Sequence, residues 1–202
     1  MNRREVLRIL GVALVAAAAA LFAGPAHAAD SPPITVLVTY HSVTGHTEKM
    51  AQGVTEGAKS VPGTSVVVKR VGQVTEADLS SCDALIVGSP VYFGNMSGEV
   101  KTFFDNWSKF GLFRDRKMRN KVGSAFATGA ALSNGKELTV LSMFAAMFIN
   151  QMIVVSDRGG FGASATTGPD SPGIDEKELT EARDLGKRVA EVAAVVKRGS
   201  VK

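Results

Sequence analysis

Short apolar runs alternate with amphipathic segments along the chain from Ile34 onward. The segments between these runs repeat apolar residues every three or four positions, which predicts helices over Thr47–Ser60, Gly98–Phe110, Lys136–Ile149 and Asp175–Lys197, with a short helical turn at Glu76–Leu79. The runs themselves are typical of buried strands and cover Ile34–Tyr40, Ser65–Lys69, Ala84–Gly88, Val122–Thr128 and Met152–Val155. This alternation predicts an α/β fold with a parallel sheet covered by helices on both faces.

The first 28 residues follow a different pattern. Arg3 and Arg4 precede a weakly hydrophobic Ala/Gly-rich run, which ends in the small-residue sequence Ala26–Ala28. We interpret residues 1–28 as a signal peptide of the twin-arginine type, with an ordinary Sec signal or an uncleaved anchor as alternatives. The expected product is one domain at residues 29–202, exported to the bacterial periplasm and without stable membrane insertion once the signal is cleaved.

The net charge of the chain changes once this segment is set aside. Residues 1–28 carry three arginines and one glutamate, so the totals of 23 basic and 19 acidic residues fall to 20 and 18, and the net charge from +4 to +2. No basic run points to nucleic acid, since the densest patch, Phe113–Lys121, is interpreted as a solvated loop. The single cysteine, Cys82, cannot form an internal disulfide. We predict no metal site.

The loop after the first strand has the composition of a phosphate-binding site. Its sequence, HSVTGHT, offers the hydroxyls of Ser42, Thr44 and Thr47 and a flexible Gly45, and it leads into the N-terminus of a helix. The lysine of the Walker pattern is missing, which favours a phosphate monoester over a nucleoside triphosphate with magnesium. Taken alone, simple capping of the helix explains the same residues equally well.

Two further loops follow the third and fourth strands. In GSPVYFGNMSG (Gly88–Gly98), Tyr92 and Phe93 precede Gly94 and offer flat apolar surface to a planar heteroaromatic ring. The alternative is a loop that merely covers the core. In ATGAALSNG (Ala127–Gly135), small residues allow a ring to approach the backbone, although a plain turn is as good an explanation. In parallel sheets ligands bind at the carboxyl ends of strands, and these three loops meet there.

These motifs together resemble the flavodoxin-fold family, most closely the WrbA-like NAD(P)H:quinone oxidoreductases that bind FMN. The similarity extends over nearly all of residues 29–202 and is most specific at FGNMSG. The resemblance implies a three-layer sandwich around a five-stranded parallel sheet of order 2-1-3-4-5. It also implies FMN phosphate contacts at Ser42, Val43, Thr44, Gly45, His46 and Thr47, ring contacts at Pro90, Val91, Tyr92, Phe93 and Gly94, and ring or ribityl contacts at Thr128, Gly129 and Ala130.

The resemblance implies an oxidoreductase that passes two electrons through FMN from NADH or NADPH to a quinone. No side chain is expected to act as a catalytic acid or base. The chain departs from the family at Tyr92, where an arginine is usual, and at Ile149 and Asn150, where a histidine is usual. An exported one-electron carrier is the alternative, although such carriers are strongly acidic; a flavin-free interaction module is a third. A homo-oligomer formed through the loop Ser156–Gly173 is also expected.

Overall fold

The computed structural model describes residues 32–157, 159–168 and 173–200. The predicted signal peptide, residues 1–28, lies outside the described residues. Within them the strands are β1 (Ile34–Tyr40), β2 (Thr64–Arg70), β3 (Ala84–Tyr92), β4 (Asn95–Met96), β5 (Val122–Gly129), β6 (Ile153–Val154) and β7 (Ser164–Thr166). Five of them form a parallel sheet of order β2-β1-β3-β5-β6. Counted without the short β4, this is the predicted order 2-1-3-4-5, so the predicted fold class is confirmed.

The helices follow the predicted bounds to within three residues. They are α1 (His46–Lys59), α2 (Glu76–Ser81), α3 (Gly98–Lys109), α4 (Lys136–Ile149) and α5 (Glu176–Ser200), with a short 3₁₀ turn at Val71–Gln73. Alternate residues of β1 face opposite layers: Val36 and Val38 pack with α1 and α5, whereas Leu37 packs with α2, α3 and α4. Because the sheet is covered on both sides, the central strands β1, β3 and β5 are buried along most of their length, whereas the edge strand β2 carries Lys69 and Arg70.

The structure corrects the prediction at two loops. β3 continues past the predicted end at Gly88 to Tyr92 and then turns back into β4, pairing Val91 with Met96 and Tyr92 with Asn95. Part of the loop predicted between the fifth strand and the last helix is the strand β7, which pairs with the end of β5. β6 has two residues rather than the four predicted. The added strands β4 and β7 both lie at the carboxyl end of the sheet. There β4 pairs with β3 and β7 pairs with β5, the two strands that carry the second and third loops.

Two structural features are absent from the described residues. No described helix has both the length and the apolar character needed to cross a bilayer. The same residues hold no group of three or more histidine, cysteine, aspartate or glutamate side chains arranged to bind a metal ion.

Asp78, in the first turn of α2, forms a partly buried ion pair with Lys69 on β2. Its carboxylate accepts bonds from Lys69 Nζ at 2.7 and 2.8 Å and from the backbone N–H of Thr75 at 2.8 Å. The hydrogen bond from Lys69, followed by those from Thr75, lowers the pKa of Asp78 to about 2. A carboxyl whose pKa falls on folding stabilises the native state above its unfolded pKa, and this contribution is lost as the pH falls toward 2.

We therefore expect Asp78→Asn to lower the free energy of unfolding by about 1–2 kcal/mol at pH 7. The difference from wild type should shrink between pH 4 and pH 2, because the wild-type carboxyl then becomes neutral as well. Urea unfolding at several pH values measures it. Asp105→Asn is the matched control, since Asp105 and its partner Lys101 are both 61% exposed. A loss of equal size in both variants at pH 7 would contradict this account.

Candidate functional site

The loop between β1 and α1 presents a row of unpaired backbone donors. In the part of the chain that the structure describes, the N–H groups of residues 42–48 donate to no protein acceptor. Ser42 Oγ is buried and likewise has no partner there. Gly45 caps the helix with a left-handed φ of 89°, and no atom lies within 4 Å of a Cβ added at this position. Free N–H groups at the positive end of a helix dipole form a site suited to an anion.

Arg70, at the end of β2, fastens this loop to the sheet. Its guanidinium donates to the carbonyl of Ser42 at 2.6 Å and to the carboxylate of Glu48 at 3.0 Å. The Cζ atom of Arg70 also lies over the ring of Tyr40, 5.6 Å from the ring centroid. Sequence reasoning missed Arg70. One signal for Arg70 was present in the sequence: it is a charged residue at the carboxyl end of a predicted strand, and ligands bind at the carboxyl ends of the strands in a parallel sheet.

The second loop is a tight hairpin between β3 and β4. Phe93 and Gly94 have φ values of 50° and 78°, as a two-residue type I′ turn requires. A positive φ is uncommon for a bulky residue, and here it leaves Phe93 fully exposed at the tip, beside Tyr92 at 43% exposure. Ser89 closes the base, because its hydroxyl donates to the carbonyl of Pro90 at 2.8 Å and accepts from the N–H of Ser97 at 2.9 Å. The hairpin thus offers two aromatic rings on a defined backbone.

The third loop joins the other two. Thr128 is buried at the end of β5, and its hydroxyl lies 2.8 Å from that of Thr47 on α1. Gly135, with a φ of 92°, touches the hairpin so closely that an added Cβ would lie 2.8 Å from the carbonyl oxygen of Gly94. Small residues in this loop therefore permit contact between backbones.

The first and second loops also meet directly. The ring of His41 lies edge-on to that of Tyr92, with their centroids 6.3 Å apart. The structure thus brings the three predicted groups of site residues to one end of the sheet. The exposed members of these groups are Val43, Thr44, Tyr92, Phe93 and Ala130, and the buried ones are Ser42, Thr47, Thr128 and Gly129. The exposed residues are placed to contact a ligand, and of the buried ones Thr47 and Thr128 bond the first loop to the third.

A cavity of about 760 Å³ lies beside this surface rather than between the loops. His41 stands in its wall, with Nε2 at 3.5 Å from the carboxylate of Glu99 at the start of α3. The backbone N–H of Glu99, with a further contribution from His41, holds the pKa of that carboxyl below its ordinary value. The other residues that line the cavity are Arg70, Val71, Gly72, Gln73, Gly98, Thr102, Phe103 and Asn106. The cavity includes none of the predicted ligand contacts.

A parallel sheet of this order, with an anion-binding loop and an aromatic hairpin at its carboxyl end, defines a flavodoxin-like protein. Solved structures agree. A flavodoxin, WrbA-like protein from Agrobacterium tumefaciens matches with a TM-score of 0.69 and 31% identity, covering 79% of this chain and 97% of that one. A flavodoxin from the domain Archaea matches with a TM-score of 0.64 and 23% identity, covering 79% of this chain and 99% of that one, which supports the fold alone.

The sequence places the chain within this class. Residues 63–165 match the family of NADPH-dependent FMN reductases. A protein of Archaeoglobus fulgidus described as NAD(P)H dehydrogenase (quinone) is 35% identical over 191 residues, which cover 78% of this chain and 96% of the relative. The chain belongs to the NADPH-dependent FMN reductase family.

Proposed function

We propose that the protein is an FMN-dependent NAD(P)H:quinone oxidoreductase that transfers two electrons through a bound flavin. The observation that carries this proposal is the row of unpaired N–H groups at residues 42–48, which lies beside an exposed aromatic hairpin. A terminal phosphate and a planar ring are the two ends of FMN. The family membership and the name of the Archaeoglobus relative support the same reaction.

The residues present fit FMN. The loop from Ser42 to Thr47 offers backbone N–H groups, hydroxyls and the positive end of α1 to the phosphate, and it places no carboxylate among them. The hairpin from Pro90 to Gly94 offers apolar surface to the isoalloxazine ring. Thr128, Gly129 and Ala130 form the wall on the β5 side, where small side chains admit the ring edge or the ribityl chain.

The bound flavin supplies the hydride and electron chemistry when it is present. The chain's own residues bind and orient it. Thr47 and Thr128 bond the phosphate loop to the third loop, and Arg70 fixes the carbonyl of Ser42, so that the N–H groups of the loop would remain free for the phosphate. The open faces of Tyr92 and Phe93 leave room for a flat substrate to approach. No side chain is assigned as an acid or base.

A direct test uses the purified protein reconstituted with FMN under anaerobic conditions. NADH or NADPH should bleach the flavin absorption, and a soluble quinone should restore it at a matching rate. If neither nucleotide bleaches the flavin and photoreduction accumulates a stable one-electron form, the protein is the one-electron carrier instead. A protein that takes up no FMN would favour the flavin-free interaction module.

We also infer that residues 1–28 direct export through the twin-arginine route, leaving one domain at residues 29–202 in the periplasm. The support is Arg3 and Arg4, the Ala-rich run and the sequence Ala26–Ala28. Replacing both arginines with lysine should retain the protein inside the cell. N-terminal sequencing of the exported wild type should begin at Ala29. Export that is unaffected by the double replacement would point to the Sec route.

Self-association is a further part of the proposal. The outer face of α4 is exposed and apolar, and Glu137 is its one exposed charged residue; the large side chains on this face are Leu138, Leu141, Phe148 and Ile149. Leu138, Phe148 and Ile149 are each more than half exposed, and the neighbouring Ile153 is 38% exposed. Homodimer interfaces are more apolar than the rest of the protein surface, so this face has the character of one. The loop predicted to mediate association adds the exposed Phe161.

We expect the wild-type protein to be at least dimeric by light scattering, because a second copy would cover this face. The double variant Leu141→Glu/Phe148→Glu should be monomeric, since two carboxylates cannot be buried unpaired at an interface. Lys101→Glu on α3 is the control for added negative charge. A wild-type protein that is monomeric at every concentration would rule this interface out.

A further inference from the structure

Lys136, the first residue of α4, is a buried cation. It is 4% exposed, whereas lysine is almost never buried without a partner. Its Nζ donates to the carbonyls of Ala131 and Leu132 at 2.7 and 3.1 Å and to Thr166 Oγ1 at 3.0 Å. These three acceptors match the three donors of an ammonium group. Among the described residues, no carboxylate lies within ion-pair distance of Lys136.

Two features make this position unfavourable for a lysine on grounds of stability alone. Burial removes the ammonium from water, and its three acceptors are neutral. Asp157 and Glu181 line the same small cavity but form no ion pair with Lys136, so desolvation is not offset by a direct partner of opposite charge. The first turn of a helix also carries the positive end of the helix dipole, which favours an acidic residue rather than a basic one. The fold therefore retains a cation where elementary electrostatics argues against it, which points to a role outside stability.

The location of Lys136 identifies that role. Ala131 and Leu132 directly follow Ala130 in the third loop, and Thr166 lies on β7 opposite Gly129. The hydrogen bonds of Lys136 thus connect the third loop to β7. Thr166 is in turn held by Glu178, whose carboxylate accepts its N–H at 2.8 Å. The three residues assigned to the flavin on this side, Thr128, Gly129 and Ala130, lie between this tether and the hairpin.

We propose that Lys136 is a positioning residue for the flavin: it fixes the third loop, and its buried charge favours the reduced, anionic form of bound FMN. This inference rests on the proposed function. The tether should strengthen the binding of both redox forms, because it holds the loop in one conformation. The charge should strengthen the reduced form further, because a cation in a low-dielectric surrounding is poorly screened.

Two substitutions separate the two effects. Lys136→Met removes the tether and the charge while keeping a long, unbranched side chain. Lys136→Gln keeps a hydrogen-bond donor and removes the charge. Lys101→Met is the matched control, because Lys101 is a 61% exposed lysine on α3 whose charge is already paired with Asp105.

The experiment measures the dissociation constant of oxidised FMN by fluorescence and the two-electron potential of bound FMN by equilibration with a reference dye. Lys136→Met should weaken oxidised FMN about tenfold and reduced FMN about a hundredfold, so the potential should fall by about 30 mV. Lys136→Gln should bind oxidised FMN within about threefold of wild type and show a similar fall in potential. Lys101→Met should leave both quantities unchanged.

The outcomes distinguish the inference from the function on which it rests. If the wild-type protein takes up no FMN, the proposed function and this inference both fail. If the wild type binds FMN and Lys136→Gln leaves the potential unchanged, the charge has no such role and the inference fails alone. A potential that falls equally in Lys101→Met would show a general effect of surface charge, which also overturns it. Should Lys136→Met fail to fold, Lys136→Gln alone decides the result.

Discussion

Riboflavin should bind this protein at least about 100-fold more weakly than FMN. The two ligands differ only by the phosphate, whose oxygens can accept hydrogen bonds from the free N–H groups of residues 42–48. A hydrogen bond to a charged group is worth about 1.5–3 kcal/mol, so two such bonds already supply the required difference. Fluorescence titration of the apoprotein with each ligand measures both dissociation constants under the same conditions.

The variant Thr44→Val extends this test to one side chain. The hydroxyl of Thr44 lies 3.0 Å from Nδ1 of His46 at the mouth of the loop, within reach of a phosphate held there. We expect the valine to weaken FMN about tenfold and to leave riboflavin unchanged, because only the phosphate contact is lost. Thr102→Val on α3 is the control for the loss of a hydroxyl. Equal losses for both ligands would place the phosphate elsewhere.

The order of strands and helices was accessible from the sequence because each buried element carries its own periodic signal. The run from Ile34 to Tyr40 is mostly apolar since both faces of β1 are covered, and α4 begins and ends where its pattern does. The hairpin could not be found in this way. β4 has two residues, too few for a period, and Pro90 suggests a loop although β3 continues through it.

The candidate site was predictable loop by loop, but the contacts between the loops were not. Ser42, Thr44 and Gly45 show their chemistry in the local sequence, because a helix N-terminus with hydroxyls and glycine is a local pattern. The bond between Thr47 and Thr128 joins residues 81 positions apart and has no sequence signal. Lys136 was hidden for a related reason: at the start of a helix a lysine is normally a solvated residue, and only the surrounding backbone shows that it is buried.

The same distinction between local and distant signals applies to two glycines that hold α1 against α5. A Cβ added to Gly57 would lie 1.8 Å from the carbonyl oxygen of Arg183, and one added to Gly186 would lie 1.9 Å from that of Val54. Glycine inside a helix costs about 1 kcal/mol relative to alanine, so helix propensity alone predicts that alanine would stabilise both sites. The steric overlap is with backbone atoms that no side-chain rotation can move. We therefore expect the cost of this overlap to exceed the gain in helix propensity, so that alanine destabilises the protein at both positions.

We expect Gly57→Ala to lower the free energy of unfolding by about 2–4 kcal/mol and the melting temperature by about 5–15 °C. Gly186→Ala should have a similar effect, and the double variant less than the sum, since the helices separate once. Gly72→Ala is the control, because no atom lies within 4 Å of its added Cβ. Thermal melts followed by circular dichroism compare all four variants with wild type. A Gly57→Ala variant as stable as the control would contradict backbone-to-backbone packing.

The flavin adds a second measurement to this variant. α1 begins at the phosphate loop, so its packing on α5 sets where the free N–H groups lie relative to β1. If Gly57→Ala displaces only the far end of α1, FMN should remain at least about 100-fold tighter than riboflavin in the folded variant. If the whole helix shifts, that preference should shrink while the hairpin still holds the ring. The ratio of the two dissociation constants, measured well below the melting temperature, therefore reports whether helix packing and phosphate binding are coupled through α1.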